Sequence, residues 1–446
     1  GNYYWLTING LTPGTEYGYQ YVVDNTIKIA DPYAQKILDP NNDQYINAVT
    51  YPNLKPYPTG LTTGLVSVLQ TAEPQYNWQV NNFVKPDKKN LVIYELLIRD
   101  FTVQHSYQAL IDSFQYFKNI GVNAIQLMPV NEFSGNESWG YNPNFYFAPD
   151  KYYGTKTKLK EFIDKCHLNG IAVILDVVYT QSDNDAPQAK LYWDAANNRP
   201  AANNPWLNVT APHPYSVFND FNHTSTATQY LVKRSLNFWA QEYKVDGFRF
   251  DLAKGFTQTV TNTNTVENYD ASRVANLKRY YDTVIQNIPS QYMILEFLGT
   301  TPAQEEQEYA AYGWMLWGNS NVTYNQCTMG YTTNSDITAM VYNSPLRNFN
   351  NPAVIGYSQS HDEERTMFKN LLFGNSSGSY NIKNLPTALR QEEAAASVIF
   401  TIPGPKMIWQ FQERGYDSSI NANGGRTANK PPLWHYMDDA NRKHLY

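Results

Sequence analysis

The sequence predicts an α/β fold: a closed (β/α)8 barrel of the TIM type, with a long insertion after strand 3 and a partial β-sandwich module ahead of it. Three observations carry that reading. From Leu91 onward, short apolar runs alternate with amphipathic helical stretches, and strand–helix–strand repeated this often implies a parallel sheet with crossovers. Seven runs are clear and an eighth is weaker, and eight units favour a barrel over an open sheet. Polar residues also gather where the runs end, at the face of a barrel that carries its site.

Residues 1–55 read as the β module. Tyr3–Ile8, Tyr17–Val23 and Thr26–Ile29 are short strands, separated by Pro13-Gly14 and Asp24-Asn25. Residues 56–90 read as a connection, entered through Pro52, Pro56 and Pro58. The barrel takes 91–446. Its strand candidates are Leu91–Glu95, Ala124–Met128, Ala172–Val177, Gly247–Phe250, Met293–Glu296, the weaker Trp314–Trp317, Val354–Tyr357 and Met407–Phe411. Leu110, Phe114 and Phe117 recur at i, i+4, i+7 and stop at Gly121, which predicts one amphipathic helix with a glycine cap. Val232, Leu236 and Trp239 repeat the pattern behind the caps Thr224 and Ser225. Residues 179–225 break the rhythm and read as a structureless loop over the C-terminal face. Their Tyr192, Trp193, Trp206 and Tyr215 suit either packing or sugar stacking.

The chain opens at Gly1, without Met, inside a strand pattern. It reads as processed or trimmed, with its targeting segment not included. The 446 residues can bury a core without disulfides. Cys166, on a helix, and Cys327, in a loop after strand 6, read as unpaired thiols. With 34 basic and 40 acidic residues, net −6, no basic footprint for nucleic acid or an anionic membrane is present. No apolar run reaches the ~18 residues of a membrane span, and no feature specifies an oligomeric state. The 36 Tyr, 20 Phe and 10 Trp stand out. Amphipathic rings suit a sugar, which has an apolar face and a hydroxyl rim, or simply an aromatic-rich core.

Acids and one arginine recur at strand ends: Asp176, Arg249 with Asp251, Glu296, and His361-Asp362 just beyond the seventh strand. Alternation points Arg249 and Asp251 to the same side. A charged group after an apolar run is costly to bury unless paired. Any one of these could be a structural carboxylate; the repetition over four strands is harder to explain that way. Converging carboxylates with an arginine suit glycoside hydrolysis, which needs one carboxylate ionised as nucleophile and another protonated for the leaving oxygen. The arginine should lower the nucleophile's pKa, and like-charge crowding should raise the acid's. That chemistry requires no metal or cofactor. A phosphate loop and His-Glu-x-x-His are lacking.

From about Val92 to Tyr446 the sequence resembles the α-amylase family, glycoside hydrolase family 13. Gly247-Phe248-Arg249-Phe250-Asp251-Leu252-Ala253-Lys254 is similar to the family's fourth-strand segment. The match implies Asp251 as nucleophile and Arg249 as its orienting partner, with Arg249 and Lys254 in the substrate-binding set. Glu296 matches the general acid/base. Ser360-His361-Asp362 matches the seventh-strand segment, where Asp362 binds sugar hydroxyls and stabilises the transition state. Gly140-Tyr141-Asn142-Pro143 resembles the segment whose Tyr stacks under the reacting sugar, and Asp176 matches the third-strand acid. Phe218-Asn219-Asp220-Phe221-Asn222 resembles the motif of the family's B domain. Ala30-Asp31-Pro32-Tyr33-Ala34, Ile93-Tyr94-Glu95-Leu96 and Arg99-Asp100-Phe101 resemble branching and debranching relatives with an N-terminal β sandwich.

The resemblance implies a retaining hydrolase of α-1,4, or α-1,6, bonds in starch, glycogen or maltooligosaccharides. A catalytically impaired glucan-binding member and a transglycosylase or branching enzyme remain alternatives. It also implies export, to a secreted, periplasmic or cell-surface location, because polymeric glucan cannot enter a cell. Two departures stand out. The family usually shows Val-Val-x-Asn-His after the third-strand Asp; here Thr180 replaces Asn, a usual calcium ligand, and Gln181 replaces a His that contacts sugar. Gly255 stands where His often follows Lys254. No metal ligand is therefore assigned; Asp183 and Asp185 read as solvated loop charges, with a replacement cation site as the alternative. The last barrel helix only begins at Asp438-Asp439-Ala440-Asn441, and the family's C-terminal β domain is expected to be absent.

Overall fold

The computed structural model describes residues 4–299 and 304–446. Its centre is a closed barrel of parallel strands: β1 (Val92–Leu96), β2 (Ala124–Leu127), β3 (Ala172–Val177), β4 (Gly247–Phe250), β5 (Tyr292–Leu295), β6 (Met315–Asn319), β7 (Val354–Tyr357) and β8 (Lys406–Trp409). The weak sixth strand is real, one residue later than its pattern suggested. The eighth is shorter than expected, because Phe411 turns into the left-handed region at φ 68°.

Strand alternation sorts side chains into two shells. Tyr94, Ile125, Val173, Leu175, Phe248, Phe250 and Leu295 face outward into the helix layer. Ile93, Ala124, Ile174, Ile294, Met315, Ile355 and Met407 fill the lumen. At the C-terminal end of the same inward rows stand Glu95, Asp176, Arg249 and Trp317, all buried. The fold therefore puts an apolar plug below and a polar layer above, with no change of periodicity.

The outer layer is α1 (Phe114–Ile120), α2 (Lys156–Leu168), α3 (Thr226–Glu242), α4 (Ala271–Ile285), α5 (Gln304–Tyr312), α6 (Asn321–Thr328), α7 (Leu385–Thr401) and α8 (Ala440–Leu445). The single helix expected through Leu110 and Phe117 is two: Tyr107–Asp112 ends at Ser113, which has φ −86° and ψ 9°, before α1 begins. Gly121 caps α1 at φ 77°, as its position required. Ser225 caps α3, its hydroxyl accepting from Ala227 N–H. Cys327 lies on α6, not in a loop; both cysteines are free.

The N-terminal strands differ most from expectation. Residues 4–8 form no strand, and Tyr3 lies outside the described residues. Tyr17–Val23 divides into Glu16–Tyr19 and Tyr21–Val23, the latter pairing with Ile27–Ile29. The stretch expected to be pure connection contributes Val66–Gln70, the central strand between Glu16–Tyr19 and Ile37–Leu38. The 179–225 insertion is not structureless. Gln181–Ser182 pairs with Asn219–Asp220, Trp193–Asp194 with Arg199–Pro200, and Pro187–Lys190 is a short helix. Its Trp193 and Trp206 pack against the main core.

Candidate active site

At the C-terminal mouth, β3 and β4 run in register with Asp176 opposite Arg249. Arg249 is fully buried. Its Nη1 donates to Asp176 Oδ1 and Oδ2 at 2.8 and 2.7 Å and to Asp251 Oδ1 at 2.8 Å. Its Nη2 lies 3.1 Å from Glu296 Oε2. The guanidinium rests on the Trp317 ring, 4.0 Å from the centroid, so one cation draws acids from β3, β4 and β5 together. Leu252, in the left-handed region at φ 46°, turns its N–H to Glu296 Oε2 at 2.9 Å. A non-glycine residue held there carries strain of the kind found at functional sites.

The other wall comes from the loops after β2 and β7. Gly140 has φ 93°, and a Cβ there would lie 2.4 Å from Pro129 O. That turn delivers Tyr141, whose hydroxyl donates to Asp176 Oδ2 at 2.7 Å. His361 stacks on Tyr141, centroids 5.2 Å apart, and its Nε2 is 3.2 Å from Asp362 Oδ2. Asp362 also pairs with Arg426, from the loop after β8. Exposure of the side chains rises from 9% at Asp251 and 12% at Glu296 to 31% at Asp362. The acids line an opening rather than vanishing into the core.

Charge shapes this layer. Burial pushes Asp251 well above the usual carboxylate range; Glu296, Asp176 and Asp362 add to the rise while Arg249 opposes it. Arg249 lowers Asp251 as expected, but burial and three neighbouring acids outweigh one guanidinium. Asp176 rises to about 6 through burial, again against Arg249. Asp362 is the exception: burial raises it, but His361, Arg426 and Arg249 together hold it below its ordinary value. Asp362 is thus the acid of this group that its cationic neighbours hold toward the ionised form.

Asp251 and Glu296 thus meet on Arg249 together with Asp176, while Asp362 is held beside them by His361 and Arg426. Lys254 lies at the rim, its ammonium on Glu267 and on Leu298 O at 3.1 Å. Sequence reasoning missed Glu95 and Arg426. A carboxylate inside the apolar run Val92–Leu96 was a signal of the same kind as the other strand acids. Arg426 comes from a remote loop, and no local pattern marks it.

A family model described as the α-amylase catalytic domain matches residues 102–217. Malto-oligosyltrehalose trehalohydrolase of Saccharolobus solfataricus is 29% identical over 235 residues, covering 52% of this chain and 38% of that protein. Over these residues the chain is similar to the α-amylase family. It spans well under half the length of that relative. Two solved pullulanases share the fold. That of Bacillus acidopullulyticus has TM-score 0.67 at 22% identity, covering 99% of this chain and 55% of its own. That of Bacillus subtilis, complexed with maltose, has TM-score 0.66 at 20% identity, covering 85% and 58%.

The place of the calcium ion that the resemblance implies is unusual in this chain. Thr180 turns its hydroxyl to Gln181 Oε1, and its carbonyl accepts from Phe221 N–H at 2.9 Å. The buried His213 ring lies 3.0 Å from Asp220 Oδ1, and a Cβ on Gly255 would approach it to 3.2 Å. An imidazole thus fills the space beside Gly255, and these residues do not fit calcium. Of the loop acids, the exposed Asp185 pairs with Lys190 at 2.6 Å. Gln181 is packed, its amide donating to Tyr141 O at 3.1 Å. It steadies the loop that carries Tyr141 instead of facing a sugar as a histidine would.

Proposed function

We propose that this chain is a retaining α-glucan hydrolase, cleaving α-1,4 or α-1,6 bonds of starch, glycogen or maltooligosaccharides. The observation that carries the reading is the convergence of Asp251, Glu296 and Asp362 at one opening, the first two on the two terminal nitrogens of Arg249. Retention needs its two carboxyl groups about 5 Å apart, a span that suits one guanidinium fork. Asp251 attacks the anomeric carbon and Glu296 protonates the leaving oxygen; Glu296 then takes a proton from water as that water displaces Asp251. Because Oε2 of Glu296 is committed to Leu252 N–H and Arg249, Oε1 is the oxygen free to carry the proton. Ionised Asp362 accepts sugar hydroxyls and opposes the positive charge of the transition state, and Tyr141 supplies a face for the ring. Lys254 completes the substrate-binding set, His361 contributes to it through Asp362, and no calcium enters any step.

Among the described residues no helix is long and apolar enough to cross a membrane. A polymeric substrate supports an exported enzyme. Reducing-sugar release from amylose, pullulan and glycogen tests the reading. Wild type should release sugar and Asp251→Asn should fall by at least about 10³-fold. Equal release by the two proteins would overturn it, and larger or more branched products without net release would mark a transferase.

A further inference from the structure

Glu95 is fully buried at the end of β1, in register with Gln126 of β2 and Trp409 of β8. No step above uses it. A carboxylate in that place is costly unless paired, and it is committed to a single residue. His361 donates from ring Nδ1 to Glu95 Oε1 at 2.7 Å and from its backbone N–H to Oε2 at 3.2 Å. The opposite ring nitrogen, Nε2, lies 3.2 Å from Asp362 Oδ2. The ring is also hemmed in: Tyr141 stacks on it, and the Trp139 ring meets it edge-on at 5.3 Å. A neutral imidazole has one N–H and one lone pair, so one of the two carboxylates would face a lone pair. Only the imidazolium serves both.

We propose that Glu95 is a positioning residue for Asp362: by gripping both the ring and the backbone amide of His361, it keeps that ring doubly protonated with Nε2–H turned to Asp362. Asp362 is thereby presented to substrate in one orientation, between His361 on the inside and Arg426 at the rim. What Asp362 does for substrate rests on the hydrolase reading; the state of the ring does not. The other charged groups around the ring are Asp176 from β3, Arg249 from β4 and Glu363 on its own segment, with the Tyr141 and Tyr357 hydroxyls; Arg426 acts through Asp362. Burial and Arg249 disfavour the imidazolium, but Asp362 and Glu95 prevail and push His361 up to about 9.

Two measurements on the full chain test this. Nitrogen-15 NMR, with the signal assigned through His361→Gln, should show both ring nitrogens protonated in wild type at pH 7.5. In Glu95→Gln, an isosteric change, the ring should be neutral at that pH and recharge on acidification, while Glu95→Asp should keep it charged. On soluble starch, kcat/KM of Glu95→Gln at pH 7.5 should fall by about 10²-fold, the scale of a small misplacement of reacting groups. The deficit should narrow at pH 5.5, where the ring recharges; a purely structural defect would not follow pH. A neutral wild-type ring at pH 7.5, a ring unaffected by Glu95→Gln, or an equal activity deficit at both pH values would overturn the proposal. Should Glu95→Gln fail to fold, the wild-type titration alone decides. Absence of starch hydrolysis by wild type would sink the hydrolase reading while leaving the ring measurement intact.

Discussion

Arg249 enters the lumen at the level where the apolar plug ends, and its guanidinium serves Asp176, Asp251 and Glu296 while its flat face lies on Trp317. A lysine has one ammonium and no planar fork, and cannot reproduce that set. Arg249→Lys should therefore lower kcat/KM by about 10²-fold or more and destabilise the fold by about 3–5 kcal/mol, the cost of leaving buried partners unpaired. Steady-state kinetics and thermal melts check this, and a variant with wild-type kcat/KM would contradict the grouping. At this scale the site was readable wherever an acid ended an apolar strand, because alternation decides which way it points. Electrostatic direction was not readable: the rise at Asp251 depends on how many acids the barrel gathers and how deeply, which no local segment records.

The elements were legible where one periodicity ran uninterrupted. The β strands announced themselves by length and apolar content, and α3 by its stripe and cap. Leu110 to Phe117 kept helical spacing across a break, because Ser113 preserves the facing of both halves while ending the hydrogen-bond run. Val66–Gln70 was hidden by the prolines before it, although its partners lie about fifty and thirty residues upstream. On α7 a different signal was available. Glu392 sits among apolar neighbours, with Asn370 Nδ2 donating to its Oε1 at 2.7 Å, and burial pushes it up to about 8. A carboxyl raised in the fold gives stability that is full below its unfolded pKa and lost as pH rises through its folded pKa. Wild type should thus lose stability between about pH 5 and pH 8, at up to ~1.4 kcal/mol per pH unit within that window. Glu392→Gln should flatten this part of the Tm-against-pH curve and melt higher than wild type at pH 9. Parallel curves for the two proteins would show that Glu392 does not titrate there.

At the scale of the whole molecule, the N-terminal sheet meets the barrel at an apolar patch and a buried ion cluster, among other contacts. Ile37, wholly buried, packs with Ala30, Ala34, Phe145 and Ala148, the last two lying on the Pro143–Pro149 strand that follows the Tyr141 turn. Beside this cluster Lys151 bridges Glu132 and, at 3.3 Å, Asp43 of the module. A cavity of about 580 Å³, lined by Tyr19, Lys36, Tyr51 and Lys156 among others, separates the two bodies further along. The module is therefore held by this apolar patch, by the buried ion cluster and by further contacts such as Tyr33 on Phe147 and Lys156 with Glu73, while the barrel has its own closed core. Removing the patch should release the module before the barrel yields. Ile37→Ala should cost about 2–5 kcal/mol, felt as an early phase in thermal unfolding and as faster protease cleavage within residues 71–90, between the last module strand and β1. Starch hydrolysis at 25 °C should stay near the wild-type rate, since Arg249 and its three acids lie on barrel strands. A single cooperative transition, shifted as a whole, would instead mean that the barrel depends on the module for its own stability.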